Sequence, residues 1–305
     1  MSWLTALALC WLTVGSEPAR SASPVSNQKG DKAPMSWQAF LSALWPEAKA
    51  YGISEATFKR IFSTLEPDCT QPGVYCSGKA SSGEGFKDFR AKGLPESCFR
   101  VTQKEFLVPA NYFPQTYMNN LAVHAGQLLE GWRKDKPEIY RALRRIETES
   151  GVSLPVLLAL WGRETSFGRA PMQYNAVRSL ASMAYATVPA RREWARKQLL
   201  AALKMVDEGY VRFEDFKSSY AGATGLTQVM PDEFLSYGVD GDGDGRKDVW
   251  NSIPDALATT ANVLKAYGWR GDVGIWGYEV RLAEAKPRFD CTLESRTEKK
   301  PLGEW

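Results

Sequence analysis

The run Leu157-Leu158-Ala159-Leu160-Trp161-Gly162-Arg163-Glu164-Thr165-Ser166-Phe167-Gly168 brings a single carboxylate to the end of an apolar helix. An ionised carboxylate facing a core costs several kcal/mol unless it is compensated, so such a charge is seldom placed for stability. Ser153 is expected to cap this helix, Pro155 suits its first turn, and Gly168 suits a left-handed stop after it. By the i, i+3/i+4, i+7 rule, residues 157, 160, 161 and 164 share one stripe. Glu164 therefore points where Leu157, Leu160 and Trp161 point, toward the interior or a cleft. Desolvation beside Trp161 raises the pKa of such a carboxyl, which fits a general acid working near neutral pH.

Other catalytic apparatus is excluded by what the chain lacks. Its one histidine, His124, lies mid-helix among polar and small residues, which removes Ser-His-Asp and Cys-His catalysis and zinc sites built on several imidazoles. There is no GxxxxGK[ST] phosphate loop and no strand-bound GxGxxG. The net charge of +3 is dispersed over both signs, so no basic stripe marks a nucleic-acid partner. Carboxylate chemistry remains.

Three further constellations bear on a ligand. In Ser219-Tyr220-Ala221-Gly222-Ala223-Thr224-Gly225-Leu226-Thr227-Gln228-Val229-Met230-Pro231, small residues allow close backbone approach, and Gln228 offers a donor and acceptors to sugar hydroxyls or an acetamido group. Taken alone, the segment reads equally as a helix-packing turn. Asp240, Asp242, Asp244 and Asp248 occupy positions 1, 3, 5 and 9 of a calcium loop, with Arg246 at the backbone-carbonyl position 7 and Gly245 at the sharp turn. Position 12 is Asn251 rather than a bidentate Glu, which lowers the expected affinity and argues for a structural Ca2+ rather than a sensor. Arg191 and Arg192 open another helix, where adjacent arginines are either solvated or bind a carboxylate on an anionic glycan.

The expected organisation is a signal peptide over 1–22, a polar linker over 23–35 and one mainly α body over 36–305. Trp3–Val14 is apolar, too short to span a bilayer and followed by small residues, although no Lys or Arg precedes Arg20. Export leaves Cys69, Cys76, Cys98 and Cys291, and a Cys69–Cys76 loop staple is the favoured pairing. Helical periodicity marks about 36–50, 54–65, 115–134, 137–150, 153–167, 190–208 and 253–267, with an irregular excursion over 67–100.

Taken in order, Glu164-Thr165-Ser166-Phe167-Gly168, the Ala221–Gly225 turn with Gln228, Met230 and Pro231, the DGDGDG loop, and Ala261-Asn262 followed by Tyr267-Gly268-Trp269 resemble the lytic murein transglycosylase B family, glycoside hydrolase family 103. Gln103-Lys104-Glu105-Phe106 resembles a further family segment, and the likeness runs from about Trp37 to Trp305. The resemblance implies a lysozyme-like α fold with an EF-hand-like calcium loop, acting in the periplasm as a monomer on peptidoglycan glycan strands. It also implies cleavage of the MurNAc-β-1,4-GlcNAc bond without water, leaving 1,6-anhydromuramoyl ends, with Glu164 as the single acid and base. Ser219 and Gln228 match cleft positions that orient the muramoyl acetamido group and its neighbour, and Arg191 and Arg192 match a pair facing a peptide or lactyl carboxylate. Val263 departs from the family's Tyr, and the family's further Asn and Tyr cleft residues would fall beyond Trp305, so a shortened C-terminal wall is expected. The rival readings are a hydrolytic muramidase and an inactive peptidoglycan-binding protein.

Overall fold

The computed structural model describes residues 35–74, 76, 114–187 and 189–271. The chain divides into two compact units, and all described residues except Pro114 and Gln115 lie in the one formed by Asn27–Gly85 and Thr116–Gly274. The expected signal peptide and linker up to residue 34, Cys98, Cys291, the 103–106 segment and the stretch from 272 to Trp305 lie outside the described residues.

Nine helices are seen among the described residues: α1 (Trp37–Ala50), α2 (Glu55–Phe62), α3 (Gln115–Asp135), α4 (Pro137–Ser150), α5 (Leu154–Thr165), α6 (Ala176–Ala186), α7 (Pro189–Asp207), α8 (Pro231–Tyr237) and α9 (Ile253–Ala266). Two short strands, β1 (Tyr174–Asn175) and β2 (Lys217–Ser218), pair antiparallel with Tyr174 opposite Ser218. The mainly α expectation is met, and α6 along α7 together with α9 against α4 and α5 frames the core.

Side-chain caps fix four of the nine helix starts. Ser36, Ser54, Asn175 and Ser252 each accept the N–H three residues ahead. Ser153 does not, contrary to expectation: it stands at the N-cap of α5 without a side-chain cap, and Leu154 N donates instead to Glu147 Oε1 at 2.7 Å. The carboxylate of the preceding helix thus supplies a side-chain acceptor at this helix start. The second helix also ends earlier than its periodicity extends, at Phe62. The Cys69–Cys76 disulfide is present.

α5 buries Leu157, Leu158, Leu160 and Trp161, so its stripe faces the core as the spacing requires. Beyond Thr165 the backbone turns left-handed for three residues, with φ of 50° at Ser166, 59° at Phe167 and 79° at Gly168. Only the last is glycine. The turn throws the Phe167 ring back over Gly162, where a Cβ would lie 2.7 Å from the ring, and sets it edge-on to Trp161 (5.2 Å) and His124 (5.1 Å). Gly162→Ala, normally favourable in a helix, is expected to destabilise by about 1–3 kcal/mol through overpacking. A denaturant titration checks this, and an unchanged midpoint would contradict it.

Candidate active site

Glu164 sits one residue before the end of α5, partly buried, and burial pushes its carboxyl from 4.5 up to about 7, with the Arg163 charge opposing only in part. No hydrogen bond or ion pair holds its carboxylate among the described residues. Two other carboxylates are more enclosed and differ in this respect. Glu233 accepts from Met230 N at 3.1 Å and from the Tyr267 hydroxyl at 2.5 Å. Asp255, fully buried, accepts from Gly241 N (2.8 Å), Asp242 N (3.3 Å) and Asp248 N (2.7 Å). Desolvation raises the pKa of both, and in each the hydrogen bonds oppose it. They are structural acceptors, whereas Glu164 is a partly buried acid that accepts no hydrogen bond among the described residues.

Thr165 joins this acid to the second constellation. Its hydroxyl donates to Leu226 O at 2.6 Å and accepts from Gly168 N at 3.0 Å. Leu226 lies in a tight turn closed by Thr224 N to Val229 O and Val229 N to Thr224 O, both 2.9 Å. Gly225 is required there: its φ is 75°, and a Cβ would lie 2.7 Å from Val249 O. Gln228 takes a left-handed φ of 57°, and its amide nitrogen donates to Gly225 O at 3.1 Å and approaches Met172 Sδ at 3.4 Å. Its amide oxygen has no donor among the described residues, so it can accept from a ligand N–H or O–H. Ser219 Oγ accepts from Ala221 N (3.3 Å) and Ala223 N (3.2 Å), which shapes the turn and leaves the hydroxyl proton to donate.

Thus Glu164, Ser219 and Gln228 are joined through Thr165 and the 219–229 turn. Arg191 and Arg192 lie in the first turn of α7 and take no part in the bonds just described. Arg192 Nε donates to Thr187 O at 2.8 Å, and its Nη2 is buried with no partner among the described residues.

The acidic loop is only partly as its spacing suggests. Carboxylate oxygens of Asp240, Asp242 and Asp244 lie within 4.8 Å of one another, a separation that oxygens about 2.4 Å from a shared Ca2+ can adopt. Asp248 stands outside that group, because its carboxylate accepts from Trp250 N (3.0 Å), Asn251 N (2.9 Å) and the Asn251 amide. Arg246 N donates to Asp244 Oδ1 at 2.8 Å. The residue missed from sequence is Asp255, whose carboxylate ties both ends of the loop to the start of α9. The Ser252-Ile253-Pro254-Asp255 spacing, a capping pattern, was the available signal.

The family model described as the Transglycosylase SLT domain matches residues 36–305. The chain belongs to this family. Membrane-bound lytic murein transglycosylase B of Escherichia coli (strain K12) is 33% identical over 132 residues, 43% of this chain and 36% of that protein. The structure of SltB3 from Pseudomonas aeruginosa in complex with NAG-NAM-pentapeptide matches with a TM-score of 0.62 and 32% identity, over 89% of this chain and 63% of that one. Its complex with NAG-anhNAM-pentapeptide matches at 0.57 and 31%, over 77% and 54%. Escherichia coli Slt35 in complex with calcium matches at 0.52 and 21%, over 82% and 70%, a likeness of fold alone. This SLT-domain chain therefore has the helical, lysozyme-like transglycosylase fold. It spans about a third of the length of the curated E. coli relative, and none of its described helices is long and apolar enough to cross a membrane.

Proposed function

We propose that the chain is a periplasmic peptidoglycan lytic transglycosylase that cleaves the MurNAc-β-1,4-GlcNAc bond, with Glu164 as its single general acid and base. The observation that carries this reading is the partly buried Glu164 carboxyl, its pKa raised by desolvation to about 7, beside a turn whose Gln228 and Ser219 retain hydrogen-bonding capacity. SltB3 bound to both an NAG-NAM and an NAG-anhNAM peptide supports the substrate class and the anhydro product.

In this scheme Glu164 gives its proton to the glycosidic oxygen as that bond to C1 breaks. The resulting carboxylate takes the proton of the muramoyl C6 hydroxyl as O6 bonds to C1, so the acid is restored and no water is consumed. One carboxyl suffices because the nucleophile belongs to the substrate, unlike glycosidases that need two. Ser219 donates and Gln228 accepts toward the acetamido group and the neighbouring sugar. Arg191 and Arg192, both partly exposed, would face an anionic lactyl or peptide group. Incubation with purified sacculi is expected to release 1,6-anhydromuramoyl ends. Reducing muramic ends would instead identify a hydrolytic muramidase, and retained binding without cleavage an inactive glycan-binding protein.

Asp240, Asp242 and Asp244 would hold a structural Ca2+, with the Arg246 carbonyl as a further ligand and Asp248 contributing only through a rearrangement. The ion would neutralise the converging carboxylates in the loop that follows α8. A cation bound only by the folded chain stabilises it in proportion to the logarithm of its concentration over Kd. Excess EDTA is therefore expected to lower the Tm and added Ca2+ to restore it; a melting curve indifferent to both would remove the metal from the proposal.

A further inference from the structure

The Cys69–Cys76 disulfide closes a short loop whose inner residue, Gln71, is 1% exposed. The Gln71 amide nitrogen donates to Ser179 O of α6 at 3.3 Å and to Tyr220 O at 2.8 Å. Its two hydrogens thus clamp a helix carbonyl to the carbonyl directly after Ser219. The clamped turn lies flat on α6: Gly222 has a φ of 86°, and a Cβ there would meet the Leu180 side chain at 2.7 Å. At its other side the same loop is tied down by Asp68 N to Ser182 Oγ at 2.7 Å and by the Thr187 hydroxyl to Gly73 O at 2.8 Å, with Val74 fully buried. Thr187 in turn offers its carbonyl to Arg192 Nε.

One covalently closed loop therefore stands behind two groups that lie on different elements. We infer that the 69–76 loop presets the glycan-binding wall, with Gln71 as a positioning residue for Ser219 and Thr187 relaying the loop's position to Arg192. This inference rests on the proposal that Ser219 and Arg192 face the glycan. A loop whose described residues form neither helix nor strand loses much conformational entropy when it orders, and the disulfide restricts the alternatives beforehand. The carbonyl it holds determines where the Ser219 hydroxyl sits, so its effect falls on glycan binding rather than on proton transfer.

Gln71→Met keeps the side chain's length and bulk but removes both donors, and Cys69→Ser/Cys76→Ser opens the loop without touching Gln71. In the Glu164→Gln background, affinity for a GlcNAc-MurNAc-peptide fragment is measured by calorimetry. With Glu164 intact, KM and kcat are measured on soluble glycan chains, and Tm is recorded for every variant. Gln71→Met is expected to weaken fragment binding and raise KM about fivefold, the worth of one net hydrogen bond, with kcat within about twofold of the parent. The double cysteine variant is expected to shift binding in the same direction. Unaltered fragment affinity in both variants, whatever their Tm, overturns the inference. Wild-type protein that binds the fragment yet releases no anhydro ends overturns the lytic assignment instead, and the binding comparison still decides the role of Gln71.

Discussion

Glu164→Gln is expected to lower release of 1,6-anhydromuramoyl ends by about 10²–10⁴-fold while the protein stays folded, the usual range for loss of a general acid. Glutamine keeps the shape of the side chain but has no proton to give and no basic oxygen to receive one. On the proposed mechanism the same carboxyl would set the alkaline limb of the wild-type rate. It would act in its protonated form, so activity should fall as pH rises through about 7. Stability offers an independent reading. In the unfolded chain Glu164 ionises above about 4.5, whereas in the folded chain it holds its proton to about 7, so the folded state loses ground across that window. At pH 8 the loss amounts to about 3 kcal/mol at most, and at pH 4, where both states are protonated, it is absent. Glu164→Gln should therefore melt above wild type at pH 8 and match it at pH 4. A rate that stays flat between pH 5 and about 9, or parallel melting at both pH values, would falsify the assignment of Glu164 as a desolvated acid.

The largest loss of stability is expected at Asp255. Asp255→Ala removes the acceptor of three backbone N–H groups, at Gly241, Asp242 and Asp248, from a position with no solvent exposure. Each donor left without a partner in such a place costs about 1–3 kcal/mol, and opening of the loop to water recovers part of the sum. A net loss of about 4 kcal/mol follows, or about 6 °C in Tm for a chain of this size. Asp255→Asn keeps one acceptor oxygen and should fall between. The Tm shift produced by EDTA should also shrink in Asp255→Ala, because Asp240 and Asp242 would no longer be held at the loop's start. A full-sized EDTA effect in that variant would show that the loop assembles without its anchor.

Much of this was legible from residue spacing, and the gaps have identifiable causes. Helices with one apolar stripe, such as α1 and α4, declare themselves by period. α6 does not, because Ala176, Val177, Ser179, Leu180, Ala181, Ser182, Met183, Ala184 and Ala186 are buried on every side and no stripe alternates with a polar face. α8 spans only seven residues, and its cap is the Glu233 carboxylate on Met230 N rather than a Ser or Asp ahead of it. Glu164 was readable because local chemistry marks it, a lone acid among Leu and Trp. Thr165 was not, since its partner Leu226 is distant in the chain and only folding supplies it. Asp248 is ambiguous for a related reason: its spacing suits a ligand, and its carboxylate also accepts from the Trp250 and Asn251 amides.

The left-handed run at Ser166, Phe167 and Gly168 bears on any attempt to move this acid elsewhere. Two of its three residues hold a backbone that L side chains resist, and they persist in it because the Phe167 ring is seated between Gly162, Trp161 and His124. The aim of the carboxyl is thus a property of the surrounding packing, borrowed by the helix that carries it. A designer who grafted residues 154–165 onto a new scaffold would transfer the acid but not its bearing. The graft would need the aromatic seat and the threonine tether as well.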